Sequence, residues 1–372
     1  MRKSAGRILK LLLVKKLNLL ILLFLVILLI SLLTILKLSH KLILPDFKKL
    51  ALGLNNQCLE DKSSRCFSNF FASFAKGHPL DESMSLLKEL QKINSKTAYC
   101  HSVAHAISVA EVEKNPQKWL EGFQRVPDAE CSYGYFHGII EGKYRFSPDF
   151  KVDSKLVERV CLEIGSQGSR RSCAHAFGHV LLVQENADSE QALSVCEKLT
   201  SVIKSPCFQG VFMENVQRDN LSLHTITERE SWDKSYLIKE RSFCNGFSVD
   251  KRAECWRSLG PAVLAAFRRD LDMAVLFCQS APDYPSRRSC SREMLGQDTI
   301  NQLVSGENLN LTADKCSFLE GNSEEYKECV KDLVGYVLLT SKSYKNQMTL
   351  LCQNVKPEIR QECLEVVRDY SN

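Results

Sequence analysis

The chain has 372 residues, of which 49 are Lys or Arg and 44 are Asp or Glu, which gives a formal net charge of +5. Residues 1–41 contain eight of the basic residues and no acidic residue, so the remaining 331 residues carry a net charge of −3. A mildly acidic body without a basic aromatic stripe argues against a nucleic-acid partner, and the sequence has no HExxH, G-x-S-x-G, Walker or G-x-G-x-x-G motif.

The first predicted element is a membrane-spanning helix over residues 17–36, a run of twenty residues without a charge. At helical rise this run is about 30 Å long, which matches the core of a bilayer. Six basic residues and no acidic residue precede it, so the positive-inside rule places the N-terminus in the cytoplasm and the rest of the chain outside. A cleaved signal peptide is the alternative, but the run is long and no small-residue cleavage site follows it.

The predicted organisation is therefore that of a single-pass, signal-anchored membrane protein. Its segments are a cytoplasmic basic segment (1–16), the transmembrane helix (17–36), a linker (37–57) and an extracytoplasmic helical domain (58–372).

All sixteen cysteines follow the predicted span, and an even number in an oxidising compartment predicts a disulfide framework. From Cys161 onward they form pairs with 10 to 12 intervening residues: 161/173, 196/207, 244/255, 278/290, 316/329 and 352/363. The first members are 34 to 38 residues apart, except for one step of 48 that indicates an insertion around residues 222–236. A period near 35 is typical of a two-helix repeat.

Short motifs also recur before the second cysteine of each pair. SRRSC occurs at residues 169–173 and again at 286–290, and DKRAEC, EYKEC and EIRQEC likewise place a basic residue two to four positions ahead of the cysteine. We interpret these arginines as caps or surface ion pairs; an anion site at a helix start is the alternative.

Tandem helical hairpins that each carry one disulfide resemble the Sel1-like cysteine-rich repeat proteins, which are relatives of tetratricopeptide solenoids. The resemblance lies in the period, the helix pairing and the cysteine placement over residues 58–366, and Cys58 and Cys66 have the short spacing of that group. It implies an all-α solenoid of disulfide-clipped hairpins, with a concave face that binds a protein or peptide partner. Four N-terminal cysteines, Cys58, Cys66, Cys100 and Cys131, still allow three connectivities.

Histidine is concentrated in one part of the chain. Five of its eight histidines lie within residues 101–179: His101, His105, His137, His175 and His179. A spacing of four residues puts two side chains on one helical face, as in His101/His105, His175/His179 and the pair His137/Glu141. Because equivalent positions of adjacent repeats face the same way, these pairs are expected to converge.

Converging imidazoles with nearby carboxylates predict a transition-metal site for Zn, Cu, Ni or Fe. The leading interpretation is a metal-binding module, with the five histidines as ligands. Two alternatives remain: a metal-dependent hydrolytic or oxidative enzyme in which Glu141, Glu214 or Glu111 is the base, and a metal-free interaction scaffold with packing histidines. An acid/base site without metal is a variant of the enzyme interpretation.

Four glycines occur beside these histidines, namely Gly134, Gly138, Gly178 and Gly210. We expect them to allow close approach between helices; the alternative is that they open space for a ligand.

Overall fold

The computed structural model describes residues 25–32, 46–60, 65–94, 100–125, 131, 134–216, 232–305, 314, 316–319, 323–340 and 344–371. All regular secondary structure in these residues is helical. The chain divides into two compact units, residues 1–50 and residues 51–372.

In the first unit, residues 25–32 form helix α1, and its leucine, isoleucine and valine side chains are exposed. The other residues of the predicted span, 17–24 and 33–36, lie outside the described part of the chain. Across the residues that are described, no helix combines the length and apolar character needed to cross a bilayer.

The second unit contains a long series of helices. The first are α2 (Phe47–Glu60), α3 (Arg65–Gly77), α4 (Leu80–Ile93), α5 (Cys100–Lys114), the 3-10 helix η1 (Pro116–Gln124) and α6 (Gly134–Arg145). Then come α7 (Ser154–Glu163), α8 (Gln167–Gln184), α9 (Ser189–Glu197), α10 (Ser201–Val216), α11 (Lys234–Asn245) and α12 (Val249–Ala266). The last are α13 (Leu271–Gln279), α14 (Tyr284–Ser305), the 3-10 helix η2 (Cys316–Leu319), α15 (Ser323–Thr340), α16 (Lys345–Asn354) and α17 (Pro357–Ser371).

From α7 onward a short helix alternates with a longer one, and a disulfide joins the two. The six pairs predicted from spacing are all formed, and Cys58–Cys66 and Cys100–Cys131 complete a set of eight that leaves no free cysteine. In the chain-entropy model, closing a loop of about 12 residues stabilises the fold by roughly 3 kcal/mol. Eight disulfides indicate an oxidising, extracytoplasmic compartment.

Helix starts in this unit follow from capping residues. Asp153, Asp188, Asp233 and Asp270 each accept a hydrogen bond from a backbone N–H of the helix that follows. Such caps satisfy donors that have no partner within the helix.

The arginine three residues before the second cysteine has a scaffold role, as expected. Arg170 donates to the Ile164 carbonyl at 2.8 Å, and Arg252 donates to the Phe247 carbonyl at 3.1 and 2.7 Å. Arg287 makes the equivalent contact with Ala281, at 3.4 Å. Each guanidinium thus holds the end of the short helix to the start of the long one.

The longer helices pack against one another in chain order: α5 on α6, α6 on α8, and then α10, α12, α14, α15 and α17. Phe136, Phe177, Phe212 and Trp256 lie buried in this row. Residues 222–231 of the predicted insertion lie outside the described residues. After this gap, Trp232 and Tyr236 donate to the Val216 carbonyl that ends α10. An all-helical, repeat-like arrangement is therefore confirmed.

Candidate metal centre

Two histidines of the cluster lie on one face of α8. His175 and His179 are four residues apart, and their Nε2 atoms are 3.0 Å from each other. Two nitrogen ligands at about 2.0–2.1 Å from a tetrahedral zinc ion stand roughly 3.3 Å apart. The two imidazoles therefore already point at a common position.

His137, on α6, completes a group of three. Its ring centroid is 5.0 Å from that of His175 and 5.6 Å from that of His179. One ligand atom from each of the three rings can be chosen so that all lie within 4.8 Å of one another. His137 and His179 are buried, whereas His175 is partly accessible, so solvent reaches this histidine triad along the His175 side. The triad could bind a metal ion.

Glycines bring the helix backbones together at the level of the histidines. A Cβ on Gly210 would lie 2.0 Å from the His175 carbonyl oxygen, and one on Gly178 would lie 2.3 Å from the Cys207 carbonyl oxygen. Because real Cβ atoms do not come closer than about 3.0 Å, α8 and α10 can cross this closely only at glycine.

The same device joins α5 and α6. A Cβ on Gly134 would lie 2.3 Å from the His101 carbonyl oxygen, and one on Gly138 would lie 2.3 Å from the His105 carbonyl oxygen. The interpretation of these glycines as points of close helix approach is confirmed.

Glu214 on α10 fixes the orientation of His179. Its Oε2 atom is 2.9 Å from His179 Nδ1, and both side chains are buried. When Glu214 is ionised, His179 Nδ1–H donates to this oxygen and the lone pair of the ring is left on Nε2, which faces His175. A carboxylate behind a histidine ligand is a common arrangement at metal centres, because it fixes the tautomer and raises the basicity of the ligand.

The electrostatics of the site favour neutral imidazole, the form that binds metal. Burial lowers the pKa of His179 to about 3, with the charge of Glu141 opposing this change and that of His105 adding to it. Burial, followed by the charges of His179 and His101, holds the pKa of His175 well below its usual value. Burial raises the pKa of Glu214 to about 7, opposed by the positive charges of His105 and Arg145.

The other two predicted histidines lie beside the triad and are not part of it. His105 Nε2 is 2.5 Å from Glu141 Oε2, and Glu141 also forms an ion pair with Arg145 on its own helix. His101 packs edge-on against His137, with ring centroids 4.9 Å apart. All five histidines thus form one polar cluster across α5, α6 and α8, with a buried carboxylate at each end.

Glu111 has a different environment from the other two candidate bases. It pairs with Lys114 at 2.9 Å and with Arg125 at 3.2 Å, near the surface. Sequence reasoning also missed two side chains that influence His175, Gln209 on α10 and Arg257 on α12: the charge of Arg257 contributes to the lowered pKa of His175, and Gln209 opposes it. Both come from later repeats, and no local spacing connects them to the histidines.

Comparisons of the chain with protein-family models, with curated proteins and with solved structures give no match. The functional interpretation therefore depends on the chemistry of this site.

Proposed function

We propose that the protein is a membrane-anchored, extracytoplasmic helical-repeat protein that binds a transition metal through His137, His175 and His179. The observation that carries the proposal is the pair of Nε2 atoms 3.0 Å apart, with a ring nitrogen of His137 within 4.8 Å of a ring nitrogen of each of the other two histidines. Because Nδ1 of His179 donates to Glu214, its Nε2 carries a lone pair, which either an N–H of His175 or a metal cation can engage.

The donor set fits a borderline-soft ion. Three imidazoles suit Zn, Cu, Ni or Fe, and zinc is the first ion to test because three neutral histidines with an open fourth position are a frequent zinc ligand set. Residues 17–36 remain the proposed anchor, because they are uncharged and mostly apolar and because basic residues precede them. A protein or peptide partner also remains a prediction.

The test is the metal content of the full-length, oxidised protein purified in a mild detergent. We expect near-stoichiometric metal after dialysis against Zn²⁺, and its loss in the His175→Ala/His179→Ala variant at unchanged helicity. The matched control is His78→Ala, because His78 stacks on Phe74 and bonds Glu82 outside the cluster. If Zn, Cu, Ni and Fe all fail to bind the wild-type protein, or bind the double variant equally well, the proposal is wrong.

A metal-dependent enzyme is the second candidate, and it is favoured by the three-ligand set with Glu141 nearby. A metal bound by three protein ligands keeps a position for water, and a carboxylate beside that position can act as a base. Here Glu141 and Glu214 are the candidate bases, of which Glu214 is the one bonded to a ligand. Metal-dependent hydrolysis of nitrophenyl esters that Glu141→Gln abolishes, without loss of metal, would support this function; activity retained in Glu141→Gln would exclude Glu141 as the base.

A further inference from the structure

The two copies of the SRRSC pentapeptide differ in what their second arginine contacts. In the later copy, Arg288 forms ion pairs with Asp332 at 2.6 Å and Glu328 at 2.7 Å. In the earlier copy, Arg171 has no ion pair within the described part of the chain. The first arginines, Arg170 and Arg287, behave alike, so the difference is confined to this one position.

Arg171 lies on the face of α8 that carries the metal ligands. It precedes His175 by four residues and His179 by eight, so the three side chains follow one another along the same stripe of the helix. Its residue is accessible to solvent, as is part of His175. A ligand that reaches the metal from the open side would therefore meet this guanidinium.

A second guanidinium approaches the same region from α12. Arg257 is mostly buried, with 15% of its side chain exposed, and its Nη1 is 2.8 Å from Glu254 Oε2. Glu254 is also bonded by Ser205, whose hydroxyl donates to Oε1 at 2.6 Å. One carboxylate therefore holds one edge of the Arg257 guanidinium in place.

The Nε atom of that guanidinium is unsatisfied. Arg257 Nε is shielded from solvent and has no hydrogen-bond partner among the described residues. A buried N–H without an acceptor costs about 1–3 kcal/mol, and more for a charged group, so its retention needs a reason. An oxygen atom of a bound ligand would supply the missing acceptor.

Packing connects Arg257 to the metal ligands. The hydroxyl of the neighbouring Ser258 contacts the backbone carbonyl of Gln209 on α10 at 3.4 Å, and α10 packs closely on α8 through Gly178 and Gly210. Partial desolvation and then the charge of Arg257 lower the pKa of Arg171, and the charge of Arg257 also acts on His175. The two guanidinium groups thus carry positive charge beside the neutral histidine triad, and Glu254 pairs with Arg257.

We infer that Arg171 and Arg257 bind an oxyanion group, a carboxylate or a phosphate, on the molecule that the metal centre binds. The inference takes its location from the proposed metal site, since the ligand would reach from the arginines to the open side of His175. Guanidinium matches both oxyanions because its N–H groups form paired, charge-assisted hydrogen bonds with two oxygens. A neutral ligand would leave Arg171 without an ion-pair partner among the described residues, whereas Arg257 already pairs with Glu254.

The test is anion binding to the full-length, oxidised protein, with inorganic phosphate and acetate as the two probes. Binding is measured by titration calorimetry on the zinc-loaded protein and again on protein stripped with EDTA. Arg171→Gln and Arg257→Gln are each expected to weaken binding of the recognised anion about ten- to hundredfold, the effect of one lost charged hydrogen bond, while zinc content stays unchanged. Arg159→Gln is the matched control, because Arg159 is exposed on α7, away from the long-helix row.

The outcomes separate this inference from the metal site itself. Zinc content alone decides the proposed function. If zinc does not bind, anion binding to the EDTA-stripped protein still supports the oxyanion site, provided that Arg171→Gln weakens this binding. Preference for phosphate or for acetate identifies the oxyanion. The inference is overturned if the wild-type protein binds neither probe, or if Arg171→Gln binds both as tightly as the control. Should Arg257→Gln fail to fold, Arg171→Gln, a change at an accessible residue, still decides.

Discussion

A methyl group added at Gly210 tests whether the crossing of α8 and α10 sets the geometry of the candidate metal centre. In Gly210→Ala the new Cβ would lie 2.0 Å from the His175 carbonyl oxygen and 3.0 Å from Gly178 Cα. To restore at least 3.0 Å, the two helix backbones must move apart locally by about 1 Å. No side chain can rotate away to relieve this contact, because the nearest atoms belong to the backbone.

The magnitude follows from two opposing effects. Overpacking of this kind costs about 1–3 kcal/mol, whereas Gly→Ala in a helix gains about 1 kcal/mol from helix propensity. Gly53→Ala isolates the second effect, because Gly53 lies within α2 and has no atom within 4 Å of its Cβ position. Because the propensity gain is common to both variants, we expect their free energies of unfolding to differ by the overpacking cost of about 1–3 kcal/mol, with Gly210→Ala the less stable.

Metal affinity gives the second measurement on the same pair of variants. Moving α10 away from α8 lengthens the 2.9 Å contact between Glu214 and His179, and loss of such a contact typically weakens metal binding by about 10–100-fold. Urea unfolding and competition with a chromophoric chelator measure the two effects. Equal stability and equal zinc affinity in Gly210→Ala and Gly53→Ala would refute the close crossing and its role.

Two further predictions concern buried carboxylates. Glu214→Gln keeps the shape of the side chain but removes its charge from His179 Nδ1, so zinc affinity should fall about 10–100-fold. The control, Glu113→Gln, changes an exposed residue of α5 that pairs with Lys76 and should leave zinc affinity unchanged. An unaltered zinc affinity in Glu214→Gln would show that Glu214 does not contribute to the site. Burial raises the pKa of Glu293, so its contribution to stability is complete below the unfolded value of 4.5 and is lost as the pH rises through the folded value. Glu293→Gln should therefore become more stable than wild type as the pH is raised from 4 to 8, and a difference that is constant with pH would contradict this.

The disulfide framework could be predicted from sequence because the information is local. Each bonded pair from Cys161 onward spans 11 to 13 positions, which is the length of one helix end, a turn and the start of the next helix. Cys100–Cys131 spans 31 positions and encloses η1, so spacing alone left its connectivity open.

The part of the site that could be predicted from the sequence is the part that depends on local spacing. A four-residue spacing on one helix correctly paired His175 with His179, but it could not show which other histidine joins them. Gly134 and Gly138 seat α6 directly on the backbone of α5, and in this packing His105 meets Glu141. That outcome depends on how the helices cross, which no single segment of the sequence specifies.

The location of the buried charges links the scaffold to the site. His105, Glu141, His179, Glu214 and Glu254 are each no more than 8% exposed, and each lies on one of the longer helices that pack in a row. Burying such groups costs stability even when they are paired, because their hydration is lost. A disulfide in each hairpin contributes roughly 3 kcal/mol to the stability of the fold and does not occupy the packing faces of the long helices. Those faces can therefore carry polar groups at positions where a repeat without disulfides would need apolar ones. On this argument the disulfides and the histidine cluster are parts of one arrangement: the covalent links maintain the fold so that the row of long helices can hold a charged site.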